Sequence, residues 1–281
     1  MVTRPGKLYL CATPIGNLAD VTLRVLDILK TADLVAAEDT RRTRRLFARY
    51  DINTPLISYR EQNRETAGRK IIERIEGGEN VALVSDAGMP GISDPGSHLV
   101  AECIERGVKV EALPGSNAAL TALVVSGLPT ARFSFEGFPP RKTGARRRAF
   151  EELAGNRRTL VFYESPSRVE ATLKDMLAVL GDRRAAVARE LTKRFEQVLR
   201  GRISRVIEEL GEPRGEYVLV VEGAPVFKPG EKELEEAAQE VLAMNSEGVP
   251  LKEAAGRVSA AAGLSRSVLY NRALTLRPRR P

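Results

Sequence analysis

Short β-branched apolar runs alternate with amphipathic stretches through about the first 220 residues of the chain. KLYLCA, DLVAAE, PLISY, NVALVSD and VKVEALPG, beginning at Lys7, Asp33, Pro55, Asn80 and Val108, each lead into a loop marked by glycine or proline and then a helical period. That rhythm predicts strands alternating with helices, the α/β class. The stripe Leu23, Leu26, Leu29 predicts a helix over Thr22 to Thr31. A second helix, Arg41 to Tyr50, is mostly basic outside Leu46 and Phe47. A turn at Gly127, Leu128 and Pro129 separates a second α/β segment carrying RFSFEGF, RTLVFYE, AAVARE, FEQVLRG and EYVLVVEG. Gly223, Pro225, Pro229 and Gly230 read as a linker. The predicted organisation is an α/β domain at 1–127, a second at 128–223, and a linker with a helical tail at 224–281. In the tail, two short helices flank Gly263, with Ser265 placed to cap the second. Their spacing resembles a helix-turn-helix, and the final RPRRP adds positive charge.

Composition narrows the class. With 281 residues, 43% of them hydrophobic and 29% charged, the chain has enough apolar material for two cores and is not of a disordered type. Its longest apolar run, Ala118 to Val125, is far shorter than the roughly 20 residues a bilayer span needs. The start MVTRPGKLYL has no signal-peptide core, so the expected location is the cytoplasm. Two cysteines, Cys11 and Cys103, and one histidine, His98, offer no pattern for a structural metal, and none is expected. The formal charge of +7, carried largely by arginine, suits a polyanionic partner. The runs Arg41–Arg45 and Arg141–Arg148 fit phosphate contacts that position RNA without reading its sequence.

Three loops follow predicted strands, where ligands gather in open α/β sheets: Thr13 to Leu18, Ser85 to Gly91 and Pro114 to Ala118. Their glycines permit close backbone approach, and their prolines fix the loop before a ligand arrives. Neither a P-loop nor a G-x-G-x-x-G sequence occurs, so the site is not built as an ordinary nucleotide-binding fold. Phe133, Phe135 and Phe138 read as a core-facing strand face, whereas Tyr59 and Tyr163 suit base stacking.

Seven segments then share an order: ATPIGNL at 12–18, AAEDTRRTRRL at 36–46, VSDAGMPGISDPG at 84–96, LPGSNAALTAL at 113–123, FEGFPP at 135–140, FYESPSR at 162–168 and ARELTK at 188–193. In these the chain resembles the RsmI family of bacterial 16S rRNA (cytidine-2′-O)-methyltransferases, from about Lys7 to Gly223 and again in the LKEAA…LYNRAL tail. The resemblance implies a tetrapyrrole-methylase fold with S-adenosylmethionine in a cleft between two α/β domains. It also implies a homodimer and 16S rRNA of the 30S subunit as substrate. The implied cofactor contacts are Pro14, Ile15, Asp86, Met89, Gly91, Ile92, Gly115, Ser116, Ala118, Tyr163, Leu191 and Tyr217. Arg41, Arg42, Arg44, Arg45 and Asn63 are assigned to RNA. One departure stands out: family members often flank the acid after the third strand with histidines, while here Tyr59-Arg60-Glu61-Gln62-Asn63 has neither.

Methyl transfer from a sulfonium needs alignment and exclusion of water, and a carboxylate can take the hydroxyl proton. Candidate bases are Glu38, Asp39, Glu61, Asp86 and Glu164; the last also fits a helix-start pair with Arg168. Two alternatives stay open. One is a methylase of tetrapyrrole intermediates, which shares the fold and also suits a basic cleft. The other is a DNA-binding regulator acting through the helix-turn-helix.

Overall fold

The computed structural model describes residues 6–225 and 231–277. Pro229, Gly230 and the last four residues of the RPRRP tail region, 278–281, lie outside the described residues. The chain divides into two compact units, one ending at Ala224 and one beginning at Pro225.

All ten strand expectations are met. In the first unit, β1 Lys7–Cys11, β2 Leu34–Ala37, β3 Leu56–Ser58, β4 Val81–Val84 and β5 Lys109–Leu113 form a sheet in the order β3-β2-β4-β1-β5. Every pairing in it is parallel. Both faces are covered, which is why the strands read as unbroken apolar runs. Val35, Ala37 and Val84 face α1 Leu23–Thr31 and α2 Thr40–Tyr50, packing with Val25, Leu29, Leu46 and Phe47. Leu34, Ala36 and Leu83 face α3 Arg64–Glu76 and α4 Ser97–Glu105, packing with Ile71, Ile72, Ile75 and Leu99. Tyr59 belongs to this second core and is 2% exposed. It is therefore not a stacking platform: its ring fills the space beside Gly68, where a methyl would sit 3.7 Å away.

A second sheet follows, comprising β6 Phe133–Gly137, β7 Thr159–Glu164, β8 Arg184–Arg189, β9 Gln197–Arg202 and β10 Tyr217–Val221, in the order β6-β7-β10-β8-β9. Only β6 and β7 run parallel. One face buries α6 Thr143–Leu153, α7 Val169–Leu180 and α8 Ile203–Glu209 through Phe150, Leu173, Met176 and Ile203. The other receives Ile15 from the loop after β1 and Ala119, Ala122 and Leu123 from α5 Ala118–Val125. This shared core joins the two sheets.

The run Arg141–Arg148 is not a uniform phosphate-binding surface. Arg146 is 4% exposed, and its Nε donates to Asp175 of α7 at 2.8 Å. Arg147 Nε donates to the other oxygen of the same carboxylate at 2.7 Å. A buried aspartate can keep its charge only beside such partners. The phenylalanine reading also changes. Phe133 is 39% exposed, and Phe138, just past β6 and beyond a register shift between Phe135 and Gly137, is 55% exposed with its ring near Tyr163.

The second unit is helical: α9 Glu231–Ser246, α10 Leu251–Ala262 and α11 Arg266–Leu276 close on Ala238, Val241, Ala255, Val258 and Leu269. Gly263 ends α10 in the left-handed conformation, φ 65°, which glycine adopts without steric cost. Ser265 occupies the N-cap position of α11, but its hydroxyl makes no cap bond and lies 3.0 Å from that of Ser267. Among the described residues no helix is long and apolar enough to cross a membrane.

Candidate active site

Because β4, β1 and β5 are adjacent and parallel, their following loops emerge side by side. The first two are stitched together: Thr13 and Gly88 exchange backbone hydrogen bonds of 2.9 Å, and the Thr13 hydroxyl donates to the Ser85 carbonyl at 3.0 Å. Gly88 has φ +84°, so a side chain there is strained. The third loop lies so close that a Cβ on Gly115 would stand 2.7 Å from that of Ala12. Across the crevice, Asn17 N–H donates to the Thr192 hydroxyl at 3.1 Å, tying the loop after β1 to the loop after β8.

These segments enclose a cavity of about 390 Å³. Of the residues assigned to the cofactor, Ile15, Asp86, Met89, Ile92, Ala118, Tyr163, Leu191 and Tyr217 line it. Pro14, Gly91, Gly115 and Ser116 do not; they shape the loops behind it. Phe138 joins the lining, its ring centroid 5.6 Å from that of Tyr163. Glu38, Asp86, Asp94, Glu190 and Glu216 supply carboxylates. Apolar walls for a flat heterocycle, with acids to receive a sulfonium and an ammonium, fit S-adenosylmethionine.

A wider hollow of about 850 Å³ adjoins the first and is lined by Asp39, Arg41, Ser58, Arg60, Glu61, Gln62, Asn63 and Pro95. Glu38, Asp86, Ser93 and Asp94 line both spaces. They form the wall between them. The ends of β2 and β4 are cross-linked there: Asp39 N–H donates to Asp86 Oδ1 at 2.9 Å, and Asp86 N–H donates to Glu38 Oε2 at 3.3 Å.

The candidate bases differ in how occupied they are. Asp39 caps α2 through the Arg41 amide at 2.9 Å and also holds the Arg41 side chain at 3.1 and 2.8 Å. Those bonds hold its carboxyl far below the usual range, which makes it a poor proton acceptor. Glu61 pairs with Arg64 on the surface. Glu164 lines the first cavity, yet its carboxylate is consumed by the Thr172 hydroxyl at 2.6 Å, the Ser165 amide at 2.8 Å and Arg168 at 3.2 Å. It anchors α7 instead of serving as a base. Burial pushes Glu38 up, Asp86 adds to the rise, and the Asp86 amide opposes it. Asp86 meets Arg42 at 3.4 Å.

Asp94 is the acid that the motif reading passed over. Burial, then the charge of Glu38, pushes it up to about 7, with Asp86 and Glu216 adding to the rise. The signal was present: VSDAGMPGISDPG holds two Ser-Asp pairs, and only the first follows a strand directly. Of the arginines assigned to RNA, Arg41 lines the outer hollow and Arg42 the inner one, while Arg44 and Arg45 are exposed on α2 and line neither. Asn63 lines the outer hollow, but its side chain is spent on the Arg60 amide at 2.7 Å and the Ser58 carbonyl at 3.0 Å.

Two α/β sheets sharing a core, with a donor-sized cavity at the mouth of the parallel one, define the class. Residues 7–207 match the model of the Tetrapyrrole (Corrin/Porphyrin) Methylases. The uroporphyrin-III C-methyltransferase from Thermus thermophilus complexed with S-adenyl homocysteine superposes with a TM-score of 0.56 at 22% identity, covering 77% of this chain and 97% of that one. Within that class the tail is discriminating, because residues 232–277 match the RsmI C-terminal HTH domain. Ribosomal RNA small subunit methyltransferase I of Halalkalibacterium halodurans is 48% identical over 95% of this chain and 94% of its own length. The protein of the same name from Bacillus subtilis is 51% identical over 78% of this chain and 76% of its own. The chain belongs to the ribosomal RNA small subunit methyltransferase I family.

Proposed function

We propose that this protein transfers a methyl group from S-adenosylmethionine to the ribose 2′-hydroxyl of a cytidine in 16S rRNA. The observation that carries the reading is the pair of adjoining spaces with one common wall. The inner one is largely apolar and donor-sized; the outer one is polar, with Arg41 and Arg60 beside it. When bound, the donor supplies an electrophilic methyl carbon. The chain's part is to hold the heterocycle among Ile15, Tyr163, Leu191 and Tyr217, to keep water out, and to align the acceptor at the wall. The arginines of α2 attract the RNA backbone.

Purified 30S subunits and a porphyrinogen, offered together with methyl-labelled donor, test the reading. Label in the rRNA, mapped by mass to one cytidine ribose, is expected; label only in the porphyrinogen overturns it. Deleting residues 230–281 should weaken capture of the subunit and spare donor binding, which separates this reading from a regulator whose tail is the active part. A homodimer in the cytoplasm fits the same reading. α5 turns Leu120 and Val124 outward, the latter 73% exposed, an apolar strip that a second copy would cover.

A further inference from the structure

Within that reading, we infer that Asp94, which is not among the candidate bases the sequence offers, is the group that accepts the proton of the attacking hydroxyl. It lies in the wall common to the donor cavity and the acceptor hollow, so a hydroxyl presented from outside to a methyl held inside passes its carboxylate. Glu38 and Asp86 share the wall, but each is engaged: Glu38 accepts the Asp86 amide, and Asp86 accepts the Asp39 amide and pairs with Arg42. Among the described residues Asp94 forms no ion pair. Ser85 is within hydrogen-bond reach of it, yet the Ser85 hydroxyl also donates to the Gly88 carbonyl at 3.3 Å.

The loop is built to hold this residue. Ser93 has φ +62° and Gly96 φ +151°, and a Cβ on Gly96 would press to 3.0 Å from Leu83 and 3.3 Å from Gly91 N. A non-glycine residue such as Ser93 keeps a left-handed backbone only where its surroundings enforce it. The charged and titratable groups facing Asp94 are Glu38 at the end of β2, Asp86 after β4, Tyr163 on β7 and Glu216 before β10, with Arg42 behind Asp86 and Lys193 3.8 Å from Glu216. Burial, then the charge of Glu38, with Asp86 and Glu216 adding to it, makes the carboxylate a stronger base than an ordinary aspartate and suits it to work near neutral pH. In the step, the hydroxyl oxygen forms the new bond to the methyl carbon, the carbon–sulfur pair stays on sulfur, and the proton moves to Asp94. Solvent in the outer hollow then takes it away.

Asp94→Asn keeps the shape and removes the base. Single-turnover methylation of 30S subunits should slow by ~10²–10⁴-fold, with donor affinity by calorimetry within about threefold of wild type. The wild-type rate should climb with pH about an apparent pKa near 7, and Asp94→Asn should lose that limb while Asp94→Glu recovers part of the rate. Independently of turnover, difference infrared spectra of the donor-free protein should show a carboxylic-acid band disappearing over the same pH range and absent from Asp94→Asn. An active wild type whose Asp94→Asn form keeps more than a tenth of the rate, or loses rate only in step with donor affinity, overturns the assignment alone. A wild type that labels no rRNA overturns the functional reading and this inference with it.

Discussion

Asp175→Ala tests whether the second basic run is interior scaffolding or RNA surface. The side chains of Arg146 and Asp175 are each 4% exposed, and Arg147 is 52% exposed. Removing the carboxylate leaves the Arg146 guanidinium with only the Arg141 carbonyl at 3.1 Å and the Thr143 hydroxyl at 3.5 Å. Stranding one partner of a buried ion pair costs roughly 3–5 kcal/mol. In a unit of this size each kcal/mol lowers Tm by about 2–4 °C, so calorimetry should record a fall of roughly 6–20 °C. Arg147→Ala, whose side chain can already reach water, should cost no more than about 1 kcal/mol. Replacing Arg146 and Asp175 together by Met and Leu should recover most of the loss, since an apolar pair leaves no orphaned charge. A loss below about 1 kcal/mol for Asp175→Ala, or an equal loss for Arg147→Ala, would refute the reasoning.

Gly88→Val forces a branched side chain into φ +84° against Ile15 and should cost the donor at least about tenfold in calorimetric affinity, through strain in the loop that lines the cavity; unchanged affinity would count against the loop's role. Arg41→Glu with Arg44→Glu should weaken RNA binding and flatten its dependence on salt while leaving donor binding intact; an unaltered slope removes α2 from the RNA surface. Asp94 carries a folded pKa of about 7, above its ordinary 3.8, so the folded chain holds a proton that the unfolded chain sheds. Its contribution is therefore fully present below about pH 4 and lost as pH rises through 7. Chemical denaturation should show Asp94→Asn gaining about 1–3 kcal/mol on wild type between pH 5 and pH 8, and parallel stability curves would contradict the shift.

The strands were legible because parallel strands buried on both faces leave apolar runs that no surface element mimics. The three loops were legible as glycine and proline at the ends of those runs. What could not be read locally depends on partners distant in sequence. Arg146 reads as one of several exposed arginines until Asp175, 29 positions on, supplies the carboxylate that lets it be buried. Glu164 and Asp39 have the right chemistry, yet Thr172, Ser165, Arg168 and Arg41 consume it. Tyr59 sits among polar neighbours in sequence, while α3 and α4 close over it in space. Phe138 lies near Tyr163 as Phe135 does, but past the end of β6 it lines the cavity and is not enclosed in a core. Asp94 owes its character first to burial and then to Glu38, Asp86 and Glu216, which come from three separate elements.

The carboxylates that divide the two hollows also act as a gatekeeper. Arg41 and Arg60 stand on the outer hollow, whereas Glu38 and Asp86, with Asp94 once it loses its proton, make an acidic floor. Under the proposed function, a phosphodiester at the outer hollow would be repelled by that floor at short range. The nucleoside to be methylated would then have to swing out of its stack, with its flanking phosphates left at the rim.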